Sequence, residues 1–572
     1  MQFRYVVMPL LAFGSTSPAL AQDAGSLLRD KEQGKEITLP PPPPTETAPE
    51  PSSTLSAQAE RGPTLLVKSV AFTGKVALLD DAGRAELTRQ IEGKEVDFAQ
   101  IRAFTDSINA TLRQNGHLLA HAIIPPQDAT GGTLTIEIRE GTLSEVMLEF
   151  GKGARIRKGI LSGIIDSHID KESLDSGDLE SALLRINDLP GVSARSRLAP
   201  GSSPGTSRLM VDVEEEPVVT ASFSGDNFGS PSTGRAQAHA QVAFSDVTGI
   251  GDLTRLGFSY SDGQRYTSAS LAVPVSTTGL VASLNYAYLD YHNTDAVGSL
   301  AGLRGRAHYG SLGLSYQAAR SRGFNLRFNA GLGGKALIDD SAAGRLQDKR
   351  IVSGTLGFTA DLTDHALGGG ITQFTAGWTY GDLDLSRVPG ALLGDSLSLR
   401  TQGGFHRLNA DLVRLQSLPG PLSLMVRASG QWSSKNLDSS ESFSLGGPYG
   451  VRGWPTGEGR GDAGITGTLE LRYDLPLPPK LGGLQFTAFF DAGKVWLNKD
   501  ALGLPSLNAC GCNSYSLSSA GLGVSWRQHN FSLSGTWARG LGTNPGRSVF
   551  GGTNVDGRTD RQQFWLSGSL SF

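Results

Sequence analysis

The sequence predicts a mainly β protein, with about sixteen transmembrane strands closed into a barrel and two small α+β modules in front of it. Three observations lead there. From residue 218 to 572, segments of about ten residues alternate apolar and polar side chains with a period of two. No stretch reaches the ~18 consecutive apolar residues of a membrane helix, which excludes a helical membrane protein. Between residues 64 and 216, a strand–helix–helix–strand–strand pattern occurs twice. Composition agrees: 74 of 572 residues are Gly, 19% are charged and 38% are hydrophobic. That balance suits many strands with tight turns, although a soluble β-sandwich array shares it. The formal charge is −4 and no Lys/Arg stripe is interleaved with aromatics, which excludes nucleic acid as a partner.

Residues 1–21 read as a cleavable secretory signal, with Arg4 as the lone charge, an apolar run over 6–13 and Ala19-Leu20-Ala21 as a small-residue cleavage site. The expected mature chain begins near Gln22, outside the cytoplasm. Residues 22–33 contain a short helix with paired leucines and a charged face. Residues 34–62 carry the proline run 40–44 and two further prolines at 49 and 51, so an extended linker is expected.

In the first module, residues 63–141, strand patterning covers 65–72 and helical patterning covers 81–91 and 98–112. Ile101, Phe104, Ile108 and Leu112 share one face of the second helix. Two more strands, 117–124 and 133–138, are joined through Pro125-Pro126-Gln127 and a Gly-rich turn. The second module, residues 142–216, repeats the order: strand 143–150, helices 156–165 and 179–186, strands 192–198 and 207–213. It ends on the acidic run Glu214-Glu215-Glu216.

From residue 217 to 572 no convincing helix is found. Residues 422–432 set Leu422, Leu424, Val426, Ala428 and Trp432 against Ser423, Arg427, Ser429 and Gln431. Residues 465–475 and 564–572 alternate in the same way, apolar toward lipid and polar toward a lumen. Connections expected on the outer side, 293–302, 339–348, 386–398, 498–514 and 542–560, are long, while those at 276–279 and 417–420 are short. Long outside and short inside is the habit of outer-membrane barrels. A cylinder of about sixteen strands is wide enough for an aqueous lumen.

Two motifs stand on this frame: Val451-Arg452-Gly453-Trp454 in a long connection, and Phe489-Phe490-Asp491-Ala492-Gly493 on a wall strand. Alternation turns Phe489, Asp491 and Gly493 toward the lumen, where a carboxylate would receive a guanidinium and a glycine would leave room for it. By itself, Arg452 would read as a solvated loop cation. Together the motifs resemble the lid loop and wall strand of the two-partner secretion translocators, the ShlB/FhaC/HecB type of haemolysin and haemagglutinin exporters in the POTRA-barrel superfamily. Trp454 departs from the family's Tyr/Phe but keeps a large aromatic. The resemblance extends over nearly the whole mature chain: residues 22–33 look like the plug helix, both modules like paired POTRA domains, and Pro125-Pro126-Gln127 and Asp188-Leu189-Pro190-Gly191 like family landmarks. It implies a periplasmic receptor region on an outer-membrane pore. The implied partner is a large adhesin- or haemolysin-like exoprotein bound through the POTRA domains. Outer-membrane lipid and the barrel-assembly machinery, met through the terminal Phe572, are the other expected partners. A BamA-like assembly factor and a solute porin are the rival readings.

Other signals point to no catalytic, cofactor or metal site. Gly201-Ser202-Ser203-Pro204-Gly205 matches G-x-S-x-G, but in a hairpin rather than a strand-to-helix elbow. The glycines of 459–464 match G-x-G-x-x-G with a strand, not a helix, following. His117 and His121 stand four apart on an expected strand with no neighbouring acid, so they are read as structural. No Gly-Lys-Ser/Thr triplet completes a phosphate loop. Cys510 and Cys512 enclose only Gly511, and a loop pin, a labile disulfide and two free thiols all remain open.

Overall fold

The structure is a computed structural model that describes residues 22–33, 64–203 and 206–572. The expected signal segment and linker lie outside the described residues, as do Pro204 and Gly205 of the G-x-S-x-G match. Contacts divide the chain into two units, one holding the barrel and residues 22–33, the other the two modules.

Sixteen antiparallel strands close into a barrel, each bonded to its sequence neighbours around the ring. The first strand, Val219–Asp226, pairs with Gln237–Ser245 and closes on the last, Gln562–Ser571, in a register from Ser571↔Ser222 to Ser567↔Asp226. Beyond that ladder Phe572 donates its N–H to Ala221 (2.8 Å), and its exposed ring meets Phe223 edge-on. The period-two pattern resolves as expected: on strand Ala463–Leu475, Ile465, Leu469 and Leu471 face out while Glu470 is buried inside. A closed cylinder satisfies every wall N–H and C=O without water, which lets strands cross lipid. Heat should therefore unfold it late: we expect the purified protein to migrate fast in detergent gels when unheated and slowly after boiling. Absence of that shift, with mainly helical circular dichroism, would overturn the architecture.

Two expectations for the barrel need correction. Residues 339–348 are not a long connection, because strands Phe324–Ser341 and Gly344–Asp364 run on to a tight hairpin. Its polar residues pair with each other, Arg345 with Asp340 at 2.5 Å and Arg350 with Asp348 at 2.8 Å. Once strands leave the membrane, nothing requires an apolar face, so the alternation that marks them fades. Two short helices also interrupt the outer connections. Ala296–Leu300 is capped by the Asp295 carboxylate, and Pro389–Ser396 starts on a proline whose fixed φ suits a first turn. Neither is long enough to show a helical period.

Each module covers a three-stranded sheet with two helices. In the first, helix Phe98–Gln114 begins with a capping box between Asp97 and Gln100 and buries Ile101, Phe104, Ile108 and Leu112. The expected strand 65–72 is broken. Leu65–Leu66 pairs with Glu95–Val96, Ser69–Gly74 pairs with Thr133–Arg139, and between them Val67 and Lys68 donate to Lys94 and Gly132 as the backbone changes partner. The expected strand 117–124 shrinks to His121–Ile123, because Gly116, at φ +95°, ends the helix and His117 still donates back to Leu112. His117 instead bridges Asp175. The second module has strand Thr142–Phe150, helices Lys158–His168 and Ser176–Asn187, and strands Val192–Pro200 and Thr206–Glu215. One detail repeats in both. Asn109 accepts the N–H of Ala122 and Asn187 that of Ala194, each at 2.7 Å, so a side chain covers the same edge in both sheets. Between the modules, Ser176 donates to the Gly116 carbonyl, and the Ser173 hydroxyl donates to Glu140, holding that carboxyl below its usual range.

Candidate functional site

Residues 434–462 connect strand Leu422–Ser433 to strand Ala463–Leu475 and fold into the lumen as a lid. Its stem is the pair Phe443–Ser444 and Arg460–Gly461, and its tip is tied by Val451 donating to the Leu445 carbonyl at 2.7 Å. Leu445, Val451 and Trp454 are wholly buried against Phe443, Val495, Tyr515 and Leu517, a small apolar core inside a polar lumen. Trp454 anchors it, its indole N–H donating to the Ser518 carbonyl at 3.1 Å. Gly453 permits that approach. A Cβ there would lie 2.6 Å from the Ser519 Cβ and 2.5 Å from the Gly540 nitrogen, distances no side chain tolerates.

This core aims Arg452 at the wall. Its Nε and Nη2 donate to the two oxygens of Asp491 at 3.0 and 2.9 Å, its backbone N–H adds a third bond at 3.1 Å, and Nη1 donates to Glu470 at 2.6 Å. The guanidinium lies over the Phe489 ring, its Cζ 3.3 Å from the ring centre. Asp491, fully buried, also accepts from Thr468 and Ser519. The Trp565 indole donates to the Arg452 carbonyl, so three wall strands grip one residue. The structure thus brings Arg452 and Asp491 together, with Phe489 as the platform beneath them. Gly493 does not make room for the guanidinium: Leu445 of the lid fills that space, 2.8 Å from where a Cβ would stand. The motifs do not announce Glu470 as a partner, although it stands on the lumen face of the strand beside the wall motif, directly opposite Phe489.

Helix Ala24–Gln33 lies in the same lumen. Ala24, Leu27 and Leu28 pack on Leu289, Tyr291, Leu337, Ile351 and Phe405. Its charged face is paired rather than solvated. Lys349 bridges Asp23 and Asp438 at 2.9 and 2.7 Å, and Lys335 bridges Glu32 and Glu441 at 3.0 Å each. Arg460 of the lid holds Asp30 at 2.5 Å, and Arg29 donates to Gln431 and to the Ser442 carbonyl. Two lysines pointing inward from the adjacent strands Phe324–Ser341 and Gly344–Asp364 are a signal in the sequence for this lock. Helix and lid meet over Gly25, where a Cβ would stand 2.8 Å from the Ser439 hydroxyl.

Cys510 and Cys512 are disulfide-bonded at the outer loops, with Cα atoms 5.2 Å apart. The neighbouring Ala509 and Cys510 N–H groups donate to Arg547 and Pro545, so the bonded turn is stitched to the next outer connection.

Against known proteins, residues 205–524 match the model of the haemolysin secretion/activation proteins ShlB/FhaC/HecB, and residues 65–141 match the ShlB-type POTRA domain. The heme/hemopexin transporter protein HuxB of Haemophilus influenzae is 27% identical over 567 residues, covering 96% of this chain and 95% of its own. The outer membrane transporter CdiB of Escherichia coli is 26% identical over 498 residues, 84% of this chain and 80% of its own. The solved structure of CdiB from Escherichia coli superposes with a TM-score of 0.65 at 22% identity, covering 92% of this chain and 94% of that one, a likeness of fold.

Proposed function

Because the chain belongs to the haemolysin secretion/activation protein family ShlB/FhaC/HecB, we propose that it recognises one large exoprotein in the periplasm and exports it through the barrel. It is an outer-membrane transporter of the two-partner secretion type, with POTRA-type domains on the periplasmic side. The observation that carries the reading is a lumen closed by the chain's own helix and lid, both held by ion pairs and hydrogen bonds. Such contacts exchange for water when a polar chain enters. A solute porin has no use for two closures, and an assembly factor for other barrels has no use for a plug helix.

Residues 1–21 are the signal, 22–33 the plug, 34–62 the linker, 63–141 and 142–216 the two POTRA domains, and 217–572 the barrel. The lid motif 451–454 and the wall motif at Phe489, Asp491 and Gly493 hold the closed state. The chain is no enzyme. Its partner binds the POTRA domains as an added strand or in a helix–strand groove. The Asn side chains already occupy one sheet edge in each module, which favours the opposite edge, strand Thr142–Phe150 in the second. The exposed Phe572 ring just past the closing strand suits a signal to the barrel-assembly machinery, and the apolar outer wall suits membrane lipid.

Deleting residues 64–141 should leave the barrel inserted and abolish release of the partner into the medium. The test is co-expression with the large exported protein that the chain serves, sought first among the products of adjacent genes. Undiminished export would remove the receptor role from the first module.

A further inference from the structure

The outer wall carries a site that neither the lid nor the plug uses. Strands Leu253–Ser261, Gln264–Pro274, Leu280–His292 and Arg304–Arg320 lie side by side. Their registers set Phe258, Thr267, Tyr288 and His308 in one row and Tyr260, Arg265, Asp290 and Arg306 in the next, with Arg304 opposite His292 beyond. These positions share the outward face with Leu256, Leu271, Leu284 and Leu312, which are exposed toward the membrane. The first strand leaves the periplasmic side at residue 217, so the turn 262–263 and the row of charges lie at the outer end. A depression of about 320 Å³ opens there, lined by Phe258, Arg265, Thr267, Tyr288 and Asp290. Its aromatic floor is braced: the Tyr286 hydroxyl and His308 Nδ1 are hydrogen-bonded at 2.8 Å, and the His308 and Tyr288 rings lie 4.9 Å apart.

We propose that this depression binds the phosphorylated headgroup of an outer-leaflet glycolipid. Arginine on a lipid-facing wall costs about 2–4 kcal/mol at the midplane and roughly 0–1 near the interfaces, so a position just above the aromatic row is where the wall tolerates it. Tolerance alone does not set three exposed arginines side by side, Arg265 in the lining of a concavity that holds one exposed carboxylate, Asp290, and Arg306 and Arg304 on the next strand opposite Asp290 and His292. Among the described residues none of the three is ion-paired, whereas Arg345 and Arg350, two strands further on, are matched by Asp340 and Asp348. The guanidinium fork fits a phosphate through two parallel hydrogen bonds, the aromatic floor suits a sugar ring, and the leucines below suit acyl chains. A glycolipid held there would fix one sector of the wall in the membrane.

The site rests on the outer-membrane placement and not on export, which is scored separately in the same variants. Purified wild type and Arg265→Ala/Arg306→Ala protein are titrated in detergent with bisphosphorylated lipid A and analysed by native mass spectrometry. Wild type should retain the lipid about tenfold more tightly, the Arg→Lys pair should fall between, and the control Arg558→Ala should match wild type. Dephosphorylated lipid A should bind both proteins equally weakly. Equal retention of bisphosphorylated lipid A by wild type and the double variant, or equally tight binding of phosphatidylglycerol, would overturn the proposal. The heat-dependent gel shift verifies folding. If the double variant fails that check, Arg304→Ala is titrated instead, with a several-fold loss expected and no loss overturning the proposal.

Discussion

Replacing Arg452 with Ala will abolish export and change channel conductance while leaving the barrel inserted. The guanidinium satisfies Asp491 and Glu470 at once, and its removal strands two carboxylates in a confined lumen with only hydroxyls and Arg472 nearby. Breaking a buried pair by removing one partner costs about 3–5 kcal/mol, enough to shift the lid's occupancy by more than a hundredfold. Asp491→Ala should be milder, because Arg452 keeps Glu470 and its seat on Phe489. The double variant should be little worse than Arg452→Ala, with a coupling on the order of 1 kcal/mol or more where secretion tracks lid occupancy. Additive defects, or two silent single variants in a secretion assay, would mean that the lid is held some other way.

Lys335→Ala combined with Lys349→Ala will open the pore. Each lysine is almost wholly buried between one carboxylate of the helix and one at the root of the lid. Without them, Asp23 faces Asp438 with no cation between, and Glu32 and Glu441 keep only Arg29 and Arg407, so the bridges that seat the helix are lost and one becomes repulsion in a site with little water to screen it. Loss of about 3–5 kcal/mol would leave the helix out of the lumen most of the time. In planar bilayers the double variant should show large, persistent openings where wild type is mostly closed. The folded state is checked by the gel shift. Arg460→Ala, which frees only Asp30, should give a smaller version of the same change. A double variant as closed as wild type would show that apolar packing on Leu27 and Leu28 holds the plug by itself.

The sequence determined the wall. Lipid on one side and water on the other impose opposite chemistries on successive residues, so strands such as Gly483–Trp496 declare both their existence and their faces: Phe486 and Phe490 outward, Phe489 and Asp491 inward. Helix faces such as Ile101, Phe104, Ile108 and Leu112 were legible for the same reason, a local period set by one buried side. The lid and wall motifs named Arg452 and Asp491 through their joint resemblance to the family's pair, since Arg452 by itself reads as a solvated loop cation. What only the tertiary structure decided lies between residues far apart in the chain. Lys349 meets Asp23 across 326 positions and Arg460 meets Asp30 across 430, pairings that depend on a helix from the start of the described chain lying inside the cylinder. Glu470 joins Arg452, and Leu445 fills the space left by Gly493, because the lid folds back at one depth and angle. The hairpin around 342–343 outruns its hydrophobic pattern because, beyond the membrane, strand pairing is held by backbone bonds and ion pairs that leave no period in the sequence.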